Sequence, residues 1–269
     1  MELPLVLSNL SSLQQRILTA LIALPICISA VYYGYPYFDI LAGFILFAMI
    51  REWSKMVLNQ AYHPIGYLLA ALMLSLIYTD VSYKKYIQYG LLLLAGSFPI
   101  HLVMRKRLFD YFIFVIGTLY ISWSVYILIQ LVHEGLTRFF IWILVIIWAS
   151  DTGAYFTGRF IGGPKLAPTI SPNKTWSGFV GGCTVATIVG VLSGPYLQEF
   201  YKTPFSMAIV ACILSLVSHM GDLLESWLKR YYDVKDTGTL LPGHGGVLDR
   251  LDSLLLVSFA AGLLLIIGY

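Results

Sequence analysis

Two stretches of the chain carry residues whose types and spacing suit chemistry on phosphate esters: Asp151 to Ser177, and Gly221 to Asp252. In the second, Asp222, Glu225 or Ser226, and Lys229 recur at i, i+3/i+4 and i+7, which puts them on one face of a helix. Asp249 and Asp252 stand three residues apart at the start of the next helix and share a face there. Two helices can thus present carboxylates to one point, and carboxylate oxygens without His or Cys suit a hard ion such as Mg²⁺. Asp222 and Asp249 are the main metal candidates, because a lone acid within a helical run lacks a structural reason to be there. Asp252 reads equally as a metal ligand or as a helix cap.

Around these acids stand Lys229, Arg230, Lys235 and Arg250, with Arg159, Lys165 and Lys174 from the first stretch. Seven cations and seven acids, the latter including Asp151, Asp233 and Asp236, are interleaved with glycines. That mixture fits a polyphosphate held with a metal, the acids for the ion and the cations for phosphate oxygens. Lys229-Arg230 by itself would also serve as an ordinary basic anchor at a membrane surface. Lys174 follows Ser171-Pro172-Asn173 and precedes a helix start at Thr175, where free N–H groups favour an anion. Pro242-Gly243-His244-Gly245-Gly246 is a Gly-rich loop whose backbone can approach a ligand closely. His244 within it reads as a hydrogen-bond donor to that ligand or as a plain loop residue, and His219 as a packed helix residue.

The elements that must position these groups are membrane helices. The 269 residues are 58% hydrophobic and 12% charged, with 15% aromatic residues and a mean hydropathy of +0.79. Ordinary soluble domains are roughly 25% charged and 45–50% apolar. A disordered or nucleic-acid-binding chain is excluded on the same figures, and the net charge of +3 includes no basic tail. Runs of about 20 apolar residues are needed to cross a bilayer. About nine candidates appear, near 15–34, 37–51, 64–80, 87–104, 108–132, 138–158, 176–195, 205–228 and 250–268. The fold expected is all-α and polytopic.

With the N-terminus cytoplasmic, thirteen of the seventeen Lys and Arg residues fall on the inner side. Both polar stretches, 151–177 and 221–252, then form cytoplasmic loops and helix ends. Residues 1–140 would hold helices one to five, and 141–269 a catalytic region with helices six to nine. Ser11 and Gln14 fit the N-cap and box residue of an uncleaved first helix. Cys27, Cys183 and Cys212 lie in apolar runs without metal or disulfide spacing. Gly181-Gly182 and Gly190 to Gly194 permit close helix approach, which serves packing within the chain or a homodimer equally. No phosphate-binding P-loop and no Gly-x-Ser-x-Gly elbow is present.

Ser226-x-x-Lys229-Arg230-x4-Lys235-Asp236, continued by Pro242-Gly243-His244-Gly245-Gly246-Val247-x-Asp249-Arg250-Leu251-Asp252, resembles the signature of phosphatidate cytidylyltransferases, the CDP-diacylglycerol synthases. Asp151-Thr152-Gly153-Ala154-Tyr155, Lys165-Leu166-Ala167-Pro168-x-Ile170-Ser171-Pro172-Asn173-Lys174-Thr175-Trp176 and Gly221-Asp222 are similar to further stretches of that family. Ser177 departs from the pattern, where Glu or Gln is expected.

The resemblance implies that CTP and phosphatidic acid give CDP-diacylglycerol and pyrophosphate, in phospholipid biosynthesis at the inner face of the cell membrane. It implies Mg²⁺, as one or two divalent ions, with room for a monovalent ion. Asp222, Asp249, Lys229 and Arg250 are then expected in catalysis, and Asp222, Asp249 and Asp252 at the metal. Ser171, Asn173, Lys174, Lys229, Arg230, Lys235, Asp236, His244, Gly245 and Gly246 are expected at the substrates. A transporter is the reading from another class, since polar residues at membrane depth also mark transport paths; the charges here gather at one face, not at midplane. A CDP-alcohol phosphatidyltransferase would carry an Asp-Gly-x-x-Ala-Arg stretch, which is missing.

Overall fold

A computed structural model of the chain describes residues 11–78, 108–193, 196 and 203–268. Among them are eight α-helices: α1 Ser12–Tyr33, α2 Tyr37–Leu58, α3 Pro64–Ser75, α4 Leu108–His133, α5 Thr137–Phe160, α6 Trp176–Leu192, α7 Pro204–Tyr231 and α8 Leu248–Gly268. A 3₁₀ turn, Leu76–Tyr78, extends α3. Among the described residues four helical segments are long and apolar enough to cross a membrane: Leu13–Tyr33, Phe109–His133, Thr137–Phe160 and Pro204–Tyr231. Pro64–Tyr78 and Trp176–Leu192 are apolar but shorter. The expected span at 87–104 lies outside the described residues, as does the end of the one at 64–80.

Helix starts follow their capping chemistry. Ser11 Oγ accepts from the Gln14 amide and Gln14 Oε1 accepts from the Ser11 amide, so the expected capping box opens α1. Thr175 and Thr203 cap α6 and α7 in the same way, each accepting from the amide three residues on. The second helix runs past its apolar part, from the expected 37–51 to Leu58, and so carries Arg51, Glu52 and Lys55 as helical residues.

The described residues are all-α as expected, apart from one polar segment. Residues 165–175, read as loop, form an antiparallel hairpin of β1 Lys165–Ala167 and β2 Ser171–Thr175, with Lys165 opposite Thr175 and Ala167 opposite Ser171. Gly162 and Gly163, both at positive φ, turn the chain out of α5, and the Trp176 amide donates to the Pro164 carbonyl where the hairpin closes.

The chain divides into two compact units, residues 1–130 with 234–250 and residues 131–233 with 251–269. The first unit is built on α2, whose Leu46, Met49, Ile50 and Trp53 are buried with Leu69 of α3 and Phe114 of α4. Trp53 donates its indole N–H to the Phe114 carbonyl at 2.9 Å, and Gly117 is required because a Cβ there would run into that indole. In the second unit α5 and α6 form the most extensive helix pair. Their seam is made of small residues: a Cβ at Gly153 would meet Val185 at 2.7 Å, and one at Gly178 the Ala154 carbonyl at 2.8 Å. Gly181, Gly182 and Gly190 also face neighbours within the chain, namely Thr157, Ser150 with His219, and Ala211. Those three glycines therefore serve intramolecular packing.

Candidate active site

In the second unit β2 and α7 bring a cation and an acid together. Lys174 leaves the hairpin just before α6, and its Nζ lies 2.5 Å from Oδ2 of Asp222 on α7. Oδ1 of Asp222 accepts from Ser226 Oγ, one turn on, at 3.3 Å. Asp151 of α5 interacts electrostatically with Asp222, Asp252 and Lys174. Asp252 accepts from the Ser253 amide at 2.7 Å and is joined by a side-chain hydrogen bond to Glu225. Glu225, buried on α7, pairs with Lys229 at 3.3 Å across one helical turn. Four carboxylates thus gather against two ammonium groups. Because α8 begins at Leu248, Asp252 lies in its second turn, which removes the capping alternative for that residue.

Neighbouring groups frame this cluster. His219 is buried, with its Nε2 3.2 Å from Ser150 Oγ and its ring against Phe179, and so is a packed helix residue as expected. Arg230 Nε donates to the Ile170 carbonyl at 3.4 Å and tethers the hairpin. Ser177, the departure from the family pattern, donates to the Gly162 carbonyl and lies 3.0 Å from Thr175 Oγ1, tying the start of α6 to the turn before the hairpin. Ser171 is half-buried and Asn173 exposed on β2.

In the first unit the Gly-rich loop is closed by its own residues. Leu241 and Gly245 pair as an isolated bridge, and Gly243 and Gly245 take φ of +74° and +88°, which side chains resist. Arg250 sends Nε and Nη2 to the His244 carbonyl at 2.9 and 2.7 Å, a forked contact. Oδ2 of Asp249 accepts from the Thr237 amide, Thr237 Oγ1 and the Gly246 amide at 2.9, 3.0 and 2.9 Å. Lys235 and Asp236 are exposed at the start of this loop. His244 Nδ1 is buried without a hydrogen-bond partner among the described residues.

One residue of this loop's surroundings escaped the sequence reading. Glu52, just past the expected span 37–51, is 1% exposed and accepts from Val247 N, Leu248 N and Thr237 Oγ1 at 3.1, 2.9 and 3.3 Å. Burial pushes its carboxyl above the ordinary value, against the lowering effect of the Leu248 and Val247 amides. The signal was available: an acid closing an apolar run invites the same question as Asp222. Its partners, 195 and 196 residues away, were not.

The oxygen-only donors Asp222, Asp252 and Asp151, in excess over the cations beside them, fit a divalent hard ion. Among the described residues no three His, Cys, Asp or Glu side chains are gathered into a ready metal cage. Mg²⁺ needs none, since it is commonly held by one or two carboxylates, water and substrate phosphates.

The chain is largely helical, with four apolar helices among the described residues long enough to cross a membrane. The family model described as the cytidylyltransferase family matches residues 14–267, and the chain belongs to that family. It is 37% identical to a phosphatidate cytidylyltransferase of Bacillus subtilis (strain 168), over 91% of this chain and 94% of that one. A Staphylococcus epidermidis protein of the same name is 33% identical over 93% of this chain and 98% of its own. The phosphatidate cytidylyltransferase of Brucella suis biovar 1 is 48% identical over 130 residues, which span 48% of this chain and 46% of the Brucella protein.

Proposed function

We propose that the chain is a phosphatidate cytidylyltransferase, transferring the cytidylyl group of CTP to phosphatidic acid and releasing pyrophosphate. The observation that carries this reading is the Lys174–Asp222 pair set among Asp151, Asp252 and Glu225, in a member of this family whose relatives bear that name. A phosphatidate oxygen attacks the α-phosphorus in line. The bond from that phosphorus to the oxygen bridging it to the β-phosphorus breaks, and pyrophosphate leaves with that oxygen. No general base is needed, because a phosphate monoester with a second pKa of about 6 is mostly dianionic at neutral pH. Positioning and charge neutralisation then supply the rate.

Asp222, with Asp252 and Asp151 beside it, would hold Mg²⁺, which when bound neutralises charge on the triphosphate and on departing pyrophosphate. Lys174 meets a substrate phosphate with the ammonium that Asp222 holds in place. Lys229, Arg230, Lys235 and Arg250 are the further phosphate ligands, and Ser171 and Asn173 contact substrate from β2. His244 offers its unpartnered Nδ1 to phosphate or cytosine, beside the Gly245 and Gly246 backbone. Asp249 keeps the metal candidacy of its type and also holds the loop, while Asp236 borders it. The substrates, one soluble and one lipid, require a site open to cytosol and inner leaflet. Nine spans with the N-terminus cytoplasmic meet that need.

The test uses purified protein in vesicles containing phosphatidic acid. Pyrophosphate release should require CTP, phosphatidic acid and Mg²⁺ together and stop on chelation. Release without phosphatidic acid, or solute uptake without CTP consumption, would overturn the reading.

A further inference from the structure

The motifs that carry the resemblance lie between residues 151 and 252, yet the first unit assigns its own helices a task. α1 and α2 grip the loop between α7 and α8 from within the same unit. Arg16 Nε donates to the Gly243 carbonyl at 2.8 Å and Thr19 Oγ1 to the Pro242 carbonyl at 3.0 Å. The stronger grip comes from Glu52. Its two carboxylate oxygens take the Val247 and Leu248 amides, two donors at the start of α8 that no carbonyl within the helix accepts. Thr237 Oγ1 lies 3.3 Å from Oε2 and 3.0 Å from Asp249 Oδ2, so its single hydroxyl proton is shared between the two acids. The fit leaves no slack: a Cβ at Gly246 would fall 2.6 Å from Oε2 of Glu52, and one at Gly238 2.7 Å from its Cδ.

We propose that Glu52 is a positioning residue: from α2 it fixes the backbone of the Gly-rich loop and the first turn of α8, so that the loop is preset for the nucleotide phosphates. It touches no reacting atom. The proposal rests on the reading of this loop as part of the CTP site. A buried carboxylate held by three donors is suited to the task, because charge-assisted hydrogen bonds are short and directional and the helix start favours negative charge.

The test compares wild type with Glu52→Gln, and Thr237→Ala with Thr237→Ser, each as full-length protein in detergent. Hydrogen exchange is read at the Val247 and Leu248 amides, and steady-state kinetics against CTP and phosphatidic acid. Glu52→Gln should speed exchange at those two amides by about tenfold or more, corresponding to at least ~1.4 kcal/mol of lost protection, and raise KM for CTP by a similar factor. KM for phosphatidic acid should stay unchanged. A merely structural defect would lower the active fraction, and so kcat, without moving KM for CTP. Thr237→Ala should raise KM for CTP and Thr237→Ser restore it, which decides the matter if Glu52→Gln does not fold. Unchanged exchange at Val247 and Leu248, or an unchanged KM for CTP in a turning-over variant, overturns the proposal. Should wild type make no CDP-diacylglycerol, the functional reading fails, and amide exchange in Glu52→Gln still decides whether Glu52 holds the loop.

Discussion

Lys174 and Asp222 meet with part of each side chain exposed, 22% and 36% respectively. A pair of that kind contributes about 0–1 kcal/mol to stability, so it is a poor structural device and a good ligand-binding one. Lys174→Ala should therefore leave thermal unfolding in detergent nearly unchanged while raising KM for CTP or phosphatidic acid about tenfold or more, since hydrogen bonds to charged groups are worth ~1.5–3 kcal/mol. The dependence on Mg²⁺ should not move; an unaltered KM for both substrates would count against phosphate contact. Asp249→Asn preserves shape and can keep an acceptor toward Thr237 and Gly246 but removes the charge. It should abolish CDP-diacylglycerol formation with helical content retained by circular dichroism, and near-normal turnover would remove Asp249 from the machinery. Asp222 and Lys174 were legible as candidates because charged residues interrupt apolar sequence there. What they pair with was not, since the partner of Lys174 lies 48 residues on in another element. The partners of Glu52 were illegible for the same reason at greater distance.

At the scale of elements, the helices were legible because apolar runs of bilayer length have few other solutions. The hairpin 165–175 was not: a three-residue strand between prolines carries too little alternation to distinguish it from a loop. The glycines of the α5–α6 seam and an outward glycine on α2 make a paired prediction. At Gly182 a Cβ would stand 2.8 Å from both His219 Nε2 and the Ser150 carbonyl, whereas at Gly43 nothing lies within 4 Å. Gly182→Ala should lower stability by about 1–3 kcal/mol through overpacking. Gly43→Ala should leave it level or raise it by about 0.5–1 kcal/mol through helix propensity. Thermal melts in one detergent compare the two, and equal midpoints would contradict the seam as described.

For the whole molecule, charge is distributed unevenly: residues 151–177 and 221–252 hold fourteen of the 31 charged side chains. The proposed orientation sets all of them on the cytosolic side. A single cysteine at exposed Thr169, in a chain whose three native cysteines are replaced, should react with an impermeant maleimide in inverted vesicles and not in intact cells. Labelling in intact cells would reverse the topology and remove the access to cytosolic CTP that the reaction needs. The central claim, cytidylyl transfer to a lipid phosphate by the Asp222 cluster, is tested most directly with CTP labelled at the α-phosphorus, supplied with phosphatidic acid and Mg²⁺ to purified wild type and Asp222→Asn. The label should pass into solvent-extractable CDP-diacylglycerol, one equivalent per pyrophosphate released, and Asp222→Asn should lower the rate by ~100-fold or more. Label that stays in the aqueous phase with wild type, or enters lipid equally fast with Asp222→Asn, would contradict it.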